Sequence, residues 1–182
     1  MFGGLMEPSA LVECAYELMR ALKEELAERG TVAPAFILLY DKDCEVLTFS
    51  PRLFASAEGK AAVARAFRHR ARQTGAHGAL MGIDSNCFIP DLTAMREANP
   101  RLVQAAAGAG IDALIRSGFG KTSEGLSVTL QTSAFHLLVQ QLYARGDNSI
   151  VFGELRTLDS REVPMEAAGL FSVYGGQHVT RG

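Results

Sequence analysis

Two short apolar segments lie on either side of a turn near the start of the chain, and this pattern predicts a β-hairpin. Residues 35–40 and 45–49 are mostly apolar, whereas Asp41, Lys42 and Asp43 between them are typical of a turn. Strands joined by so short a connection run antiparallel. We therefore expect at least part of the fold to be an antiparallel sheet.

Helical patterns precede and follow this hairpin. In the first, apolar residues recur at helical spacing after Ser9, a predicted N-cap, and Gly30 stands where a helix commonly ends. The second, residues 57–73, has Val63 on its apolar side and is followed by Gly75. These two segments are the main predicted helices.

The second half of the chain carries further strand patterns. Residues 79–83 are apolar and predict a buried strand that ends in a loop at Asp84. Residues 126–131 alternate between apolar and polar side chains, as in a half-buried strand. Residues 134–143 fit either a partner strand or a short helix, and residues 150–155 fit a last strand.

Hairpins separated by helices, without regular strand–helix–strand alternation, predict an α+β fold. We expect a mixed or mainly antiparallel sheet of about five to six strands, with the two main helices on one face. The predicted domain is single and covers residues 1–182, with a helical, glycine-rich insertion at 91–125 and a frayed tail at 175–182. Whether residues 108–125 form a lid stays open.

Composition and charge narrow the classes of partner. The formal net charge of -2 and the isoelectric point near 6.1 give no general attraction to nucleic acid or anionic lipid. Residues 1–7 lack the basic and apolar regions of a signal peptide, and the longest apolar run, 33–40, is too short to span a bilayer. Three widely spaced cysteines indicate reduced thiols. We predict a cytoplasmic protein that does not enter membranes.

Nucleotide and metal motifs are incomplete. Residues 117–122 end in Gly-Lys-Thr, but a phosphate loop needs glycine at position 115, which is isoleucine. Residues 108–113 match a loose dinucleotide pattern without the strand that should precede it. No two of the four histidines have the i, i+4 spacing of a helical metal site. The sequence predicts neither a cofactor nor a metal.

One thiol arrangement is the candidate for catalysis. Cys87 follows Asp84 in the predicted loop at 84–87, and His77 lies before the same strand. A cysteine nucleophile needs a neighbouring base or positive charge to form the thiolate. His77 is ten residues away in sequence, so whether the chain is an enzyme stays open.

The second helix carries the clearest charge feature. Residues 57–73 hold five lysine or arginine residues against one glutamate, and Arg65, Arg68, His69 and Arg72 recur at helical spacing. Such a row could bind phosphates or carboxylates. The first helix is acidic instead, so the two helices could pack side by side or meet across a dimer axis, and a simply solvated face is the common alternative.

These features favour a non-catalytic cytosolic binding or regulatory module, as a homodimer or with a protein partner. A small-ligand binder or thiol-dependent enzyme using residues 84–87 is one alternative. Phosphate or nucleic-acid binding through helix 57–73 is the other, and no aromatic platform accompanies its arginines, which disfavours nucleic acid.

Overall fold

The structure is a computed structural model that describes residues 7–41, 43–99, 101, 118–147 and 149–161, with only the backbone for residues 87–90 and 92. The helices within these residues are α1 (Pro8–Arg29), a short 3₁₀ helix (Pro51–Ala55), α2 (Ala57–Thr74) and α3 (Leu92–Ala98). The strands are β1 (Ala35–Leu39), β2 (Cys44–Leu47), β3 (Gly78–Pro90), β4 (Gly120–Thr132), β5 (His136–Arg145) and β6 (Ile150–Asp159).

The six strands form one sheet in the order β2-β1-β3-β4-β5-β6, and every neighbouring pair is antiparallel. This confirms the predicted α+β class and the mainly antiparallel sheet. The hairpin of β1 and β2 is also confirmed. Residues 134–143, left open between strand and helix, lie largely in strand β5.

Helix α1 covers one face of the sheet at β3, β4 and β5. Its buried side chains recur every three or four residues: Leu11, Ala15, Met19, Leu22 and Leu26. They pack against Leu80, Leu126 and Leu130 among others. Gly82 permits this approach, because a Cβ there would lie only 2.7 Å from Cδ1 of Leu22.

Helix α2 covers the other face. Its Val63 and Phe67 pack with Phe36 and Leu38 of β1, whereas Ile37 of the same strand packs in the α1 cluster. Because successive strand residues point to opposite faces, the two helices lie on opposite sides of the sheet. The prediction that both helices share one face is therefore wrong. The physical reason is that β1 is apolar on both faces and needs cover on each.

The predicted helix ends are confirmed, and one of the two predicted starts is wrong. Gly30 and Gly75 adopt left-handed backbone angles, with φ of 71° and 64°. The Ser56 side chain accepts a hydrogen bond from the Gly59 amide and caps α2. Helix α1, however, begins at Pro8, whose fixed φ suits the first helical position, so Ser9 lies inside the helix.

The loop predicted at Asp84 to Cys87 is wrong, because these residues lie within β3. That strand runs for 13 residues and pairs with β4 throughout, including Asp84 with Leu126 and Cys87 with Ser123. Backbone pairing with β4 lets polar residues continue the strand. The apolar run 79–83, on which the prediction rested, corresponds only to the buried first half of β3.

The described ends of the segment predicted as an insertion, residues 91–125, form a short helix and part of a strand. The segment begins with α3, whose N-cap Asp91 accepts a hydrogen bond from the Ala94 amide at 2.9 Å. Residues 120–125, in contrast, belong to β4 and so cannot form part of a lid. Residues 102–117 and the predicted tail at 175–182 lie outside the described residues.

Candidate functional site

The basic residues of α2 lie together on its solvent side. Arg65, Arg68, His69 and Arg72 have the i, i+3, i+4, i+7 spacing that aligns side chains along one helix face. With Ala66 they line an open cleft of about 500 Å³. We call these four residues the basic stripe.

The stripe lies opposite the helix side that packs on the sheet. Arg65, His69 and Arg72 are exposed and Arg68 is half-buried, while Val63 is buried against the sheet. The apolar side of α2 therefore holds the helix in place and leaves the stripe facing outward. The co-alignment predicted from sequence is present in the structure.

Arg70 belongs to a different contact. Its Nη2 lies 2.9 Å from Oε1 of Glu45 in β2, and the same carboxylate accepts a hydrogen bond from the Tyr40 hydroxyl at 3.0 Å. Tyr40 also contacts the Thr74 hydroxyl at 2.8 Å. These bonds tie the end of α2 to the β1–β2 hairpin, so Arg70 has a structural partner and is not part of the stripe.

The acidic residue of helix α2 itself precedes the stripe. Glu58, in the first turn of α2, precedes Arg65 by seven residues, which is about 10.5 Å along the helix axis. The acidic helix α1 lies across the sheet from α2. Side-by-side packing of the two helices within one chain, which the sequence left open, is therefore wrong.

The residues predicted for thiol chemistry are not brought together. His77 pairs instead with Asp41, with 2.9 Å between Nε2 and Oδ1. Ten residues of extended chain separate His77 from Cys87, which corresponds to about 33 Å. His136 pairs with Gln131, and Gln131 pairs with Ala79, so His136 lies at the same end of the sheet as His77. Neither His77 nor His136 thus lies beside the backbone of Cys87.

Asp84 instead joins a polar cluster that the sequence did not reveal. The Tyr143 hydroxyl donates to Oδ1 of Asp84 at 2.8 Å and lies 3.4 Å from Oε1 of Glu124. Arg145 donates to the same Glu124 oxygen at 3.0 Å and to the Gly30 carbonyl oxygen at 2.7 Å. These residues come from three strands and the end of α1, so no sequence spacing indicated them.

This polar cluster has a structural role, because its hydrogen bonds join β3, β4, β5 and the end of α1. Burial, and then the hydrogen bond to Asp84, raise the pKa of Tyr143 to about 12. The phenol therefore keeps its proton and serves as a donor. Arg145 places a cation at the carboxyl end of α1, where the helix dipole favours positive charge. Each polar group has a protein partner, which leaves the basic stripe as the candidate site.

The remaining motifs do not form sites. Lys121 and Thr122 lie in β4, paired with β3, and not in a phosphate-binding loop. Residues 108–113 lie outside the described part. Within the described part no three His, Cys, Asp or Glu residues are grouped so as to hold a metal ion, and no helix is long and apolar enough to cross a membrane.

The side chains of the basic stripe indicate which chemical groups it can bind. Its arginines are permanently charged and carry planar donors that match carboxylate or phosphate oxygens. None of the described residues that line it supplies a nucleophile or a carboxylate base. No protein-family model, curated protein or solved structure matches the chain.

Proposed function

We propose that this chain is a non-catalytic binding module that holds an acidic segment of a protein partner on the basic stripe. The observation that carries this proposal is the alignment of three arginines and a histidine on the solvent side of a helix whose opposite side is buried. The backbone of a well-anchored helix is preorganised, so no backbone order has to be gained on binding and only the side chains become ordered.

The spacing of the stripe suits an extended acidic segment. Successive levels of the stripe are separated by about one helical turn, or 5.4 Å. Alternate residues of an extended chain, which point to the same side, repeat every 6.4–6.8 Å or roughly the same distance. Each guanidinium can hold a carboxylate through two parallel hydrogen bonds. Alternating acidic side chains could therefore meet Arg65, Arg68 and Arg72 in turn.

A protein partner is favoured over nucleic acid. The chain as a whole carries a formal charge of -2, so the field away from α2 does not attract a polyanion. The aromatic residue of α2, Phe67, is buried at 1% exposure and is not available to stack on a base. The stripe is also short, which limits the number of phosphates that it could contact.

The experiment is a fluorescence anisotropy titration with a short labelled poly-glutamate peptide at low salt. Charge reversal of the two exposed arginines, R65E with R72E, should weaken binding by at least about tenfold, because each charge-assisted hydrogen bond contributes roughly 1.5–3 kcal/mol. The matched control is R20E with R29E, which makes the same change in net charge on α1, across the sheet from the stripe. Circular dichroism checks that both variants fold.

Two results would reject the proposal. One is an equal loss of affinity in the stripe variant and the control, since only net charge would then matter. The other is tighter binding to a labelled DNA duplex than to the peptide under the same salt conditions. That second result would indicate that the basic stripe binds nucleic acid.

A further inference from the structure

Among the strands that the structure describes, β6 lies at one edge of the sheet, and it presents apolar side chains to solvent. It is ten residues long and pairs with β5 on one side. Val151 is 62% exposed, Leu155 41% and Leu158 45%. Long apolar edge strands invite pairing with another strand, and natural proteins usually shorten, charge or cover them. This edge therefore has the character of an interface.

The hydrogen bonds to β5 show which backbone groups face outward. The Ser160 amide donates to the His136 carbonyl oxygen at 2.9 Å, so position 160 faces β5. In an antiparallel pair the residues alternate between facing the neighbour and facing away. Thr157 and Leu155 therefore direct their N–H and C=O groups toward the open edge. These groups are positioned to bond to an added strand.

The side chains around Leu155 are self-complementary in charge. Glu154 and Arg156 flank it, both are exposed, and no ion pair of either is found among the described residues. If two copies of β6 pair antiparallel about a twofold axis at Leu155, Glu154 lies opposite Arg156 of the partner subunit. The symmetry repeats this pair on the other side of the axis. Opposite charges directly across a strand pair are stabilising.

We propose that two copies of this chain associate edge to edge through β6, antiparallel and centred on Leu155. The binding partner is a second copy of this chain, because under twofold symmetry the charges of β6 are complementary to those of the same strand in the other copy. The β-bulge of β6, at the register shift between Gln141 and Tyr143 of β5, lies before Leu155. Under the twofold, the N–H and C=O groups of Leu155 bond across the axis, and Thr157 lies opposite Gly153 of the partner subunit, at its bulge. The two sheets join into a continuous twelve-stranded sheet.

The symmetry also determines where the basic stripes lie. Leu155 meets the same residue of the second copy, so matching faces of the two sheets lie on the same side. Both α2 helices are then on one side of the dimer, over β1 and β3 of each copy. Counting strands at about 4.8 Å per step places them roughly 40 Å apart. This consequence rests on the proposed function, whereas the dimer itself does not.

The experiment measures the mass of the full chain in solution by sedimentation over a range of concentrations. The expected mass approaches twice the 19.6 kDa of one chain as concentration rises. The variant E154R places like charges opposite each other at both pairs and should weaken dimerisation at least about tenfold. The double swap E154R with R156E restores opposite pairs and should restore the dimer.

The control is E58R on α2, which makes the same change in net charge away from β6 and should leave the dimer unchanged. Three outcomes would overturn the proposal: a wild-type chain that stays monomeric up to its solubility limit, an E154R variant that dimerises as well as wild type, or a double swap that fails to recover association. Because none of these measurements includes the acidic peptide, failure here is distinguishable from failure of the proposed function.

Discussion

Tyr143 of β5 reaches across β4 to Asp84 of β3, with its hydroxyl 2.8 Å from Oδ1 of the carboxylate. The contact joins strands that are not neighbours in the sheet. Tyr143 is 4% exposed and Asp84 is half-buried, so the hydrogen bond is partly shielded from water. It belongs to the polar cluster that also contains Glu124 and Arg145.

The first prediction concerns the Tyr143 hydroxyl. The variant Tyr143→Phe keeps the ring and removes the donor, leaving the Asp84 carboxylate with one partner fewer. We expect the free energy of unfolding to fall by about 0.5–1.5 kcal/mol in urea denaturation. The matched control is Tyr16→Phe, whose hydroxyl lies 3.0 Å from the Thr157 side chain in an exposed contact. A larger loss in the control than in Tyr143→Phe would contradict this assignment.

The second prediction concerns alkaline pH. The pKa of Tyr143 is raised from 10 to about 12, so the folded state holds this proton more tightly than the unfolded state does. Its contribution to stability is present below pH 10 and is lost as pH rises from 10 to 12. An ultraviolet absorbance titration should show a late tyrosine ionisation. That late step should be missing from Tyr143→Phe, and its persistence there would assign it to another residue.

The third prediction concerns acid pH and His136. Burial lowers the pKa of this imidazole below its ordinary value of 6.5, and its Nδ1 is buried with no hydrogen-bond partner among the described residues. Below pH 6.5 the unfolded state therefore binds the proton more readily, and stability falls with decreasing pH. Because the side chain is only partly buried, the slope from this group should stay under about 1.4 kcal/mol per pH unit.

The measurement is urea denaturation between neutral pH and mildly acid pH. The variant His136→Gln should flatten the profile over this range, whereas His69→Gln, which changes an exposed side chain of α2, serves as the control. An unchanged slope in His136→Gln would show that other groups cause the loss of stability in acid.

The fourth prediction concerns Gly59 in the first turn of α2. Replacing a helical glycine by alanine ordinarily stabilises a helix by about 0.5–1 kcal/mol. Here a Cβ would lie 2.1 Å from the Leu53 carbonyl oxygen of the preceding 3₁₀ helix. Gly59→Ala should therefore destabilise the protein by about 1–3 kcal/mol, as for overpacking elsewhere. Thermal denaturation gives the sign, and a raised melting temperature would contradict the close packing of these two helices.

Sequence reasoning identified the elements that depend on neighbouring residues. The hairpin of β1 and β2 followed from its turn residues, and the end of α2 followed from Gly75, which adopts a left-handed φ of 64°. The basic stripe was predicted for the same reason, since helical periodicity alone aligns Arg65 with Arg72. These features involve residues within about two helical turns of each other.

Sequence reasoning failed where partners are distant along the chain. The polar residues 84–86 in the middle of β3 appeared to begin a loop, because their strand conformation depends on pairing with β4. The proposed partnership of His77 and Cys87 failed because the strand between them is extended, which separates its ends. The Tyr143–Asp84 contact spans 59 positions and left no local pattern.

The sequence by itself determined the helices, the hairpin and the charged face of α2, because capping, periodicity and turn chemistry act between near neighbours. Only the tertiary structure decided that α1 and α2 cover opposite faces of the sheet and that β6 forms its edge. The physical reason is that strand order and the faces to be buried depend on pairing between distant segments. That pairing also decided that the polar groups around Tyr143 hydrogen-bond to one another, whereas those of the basic stripe on α2 face outward.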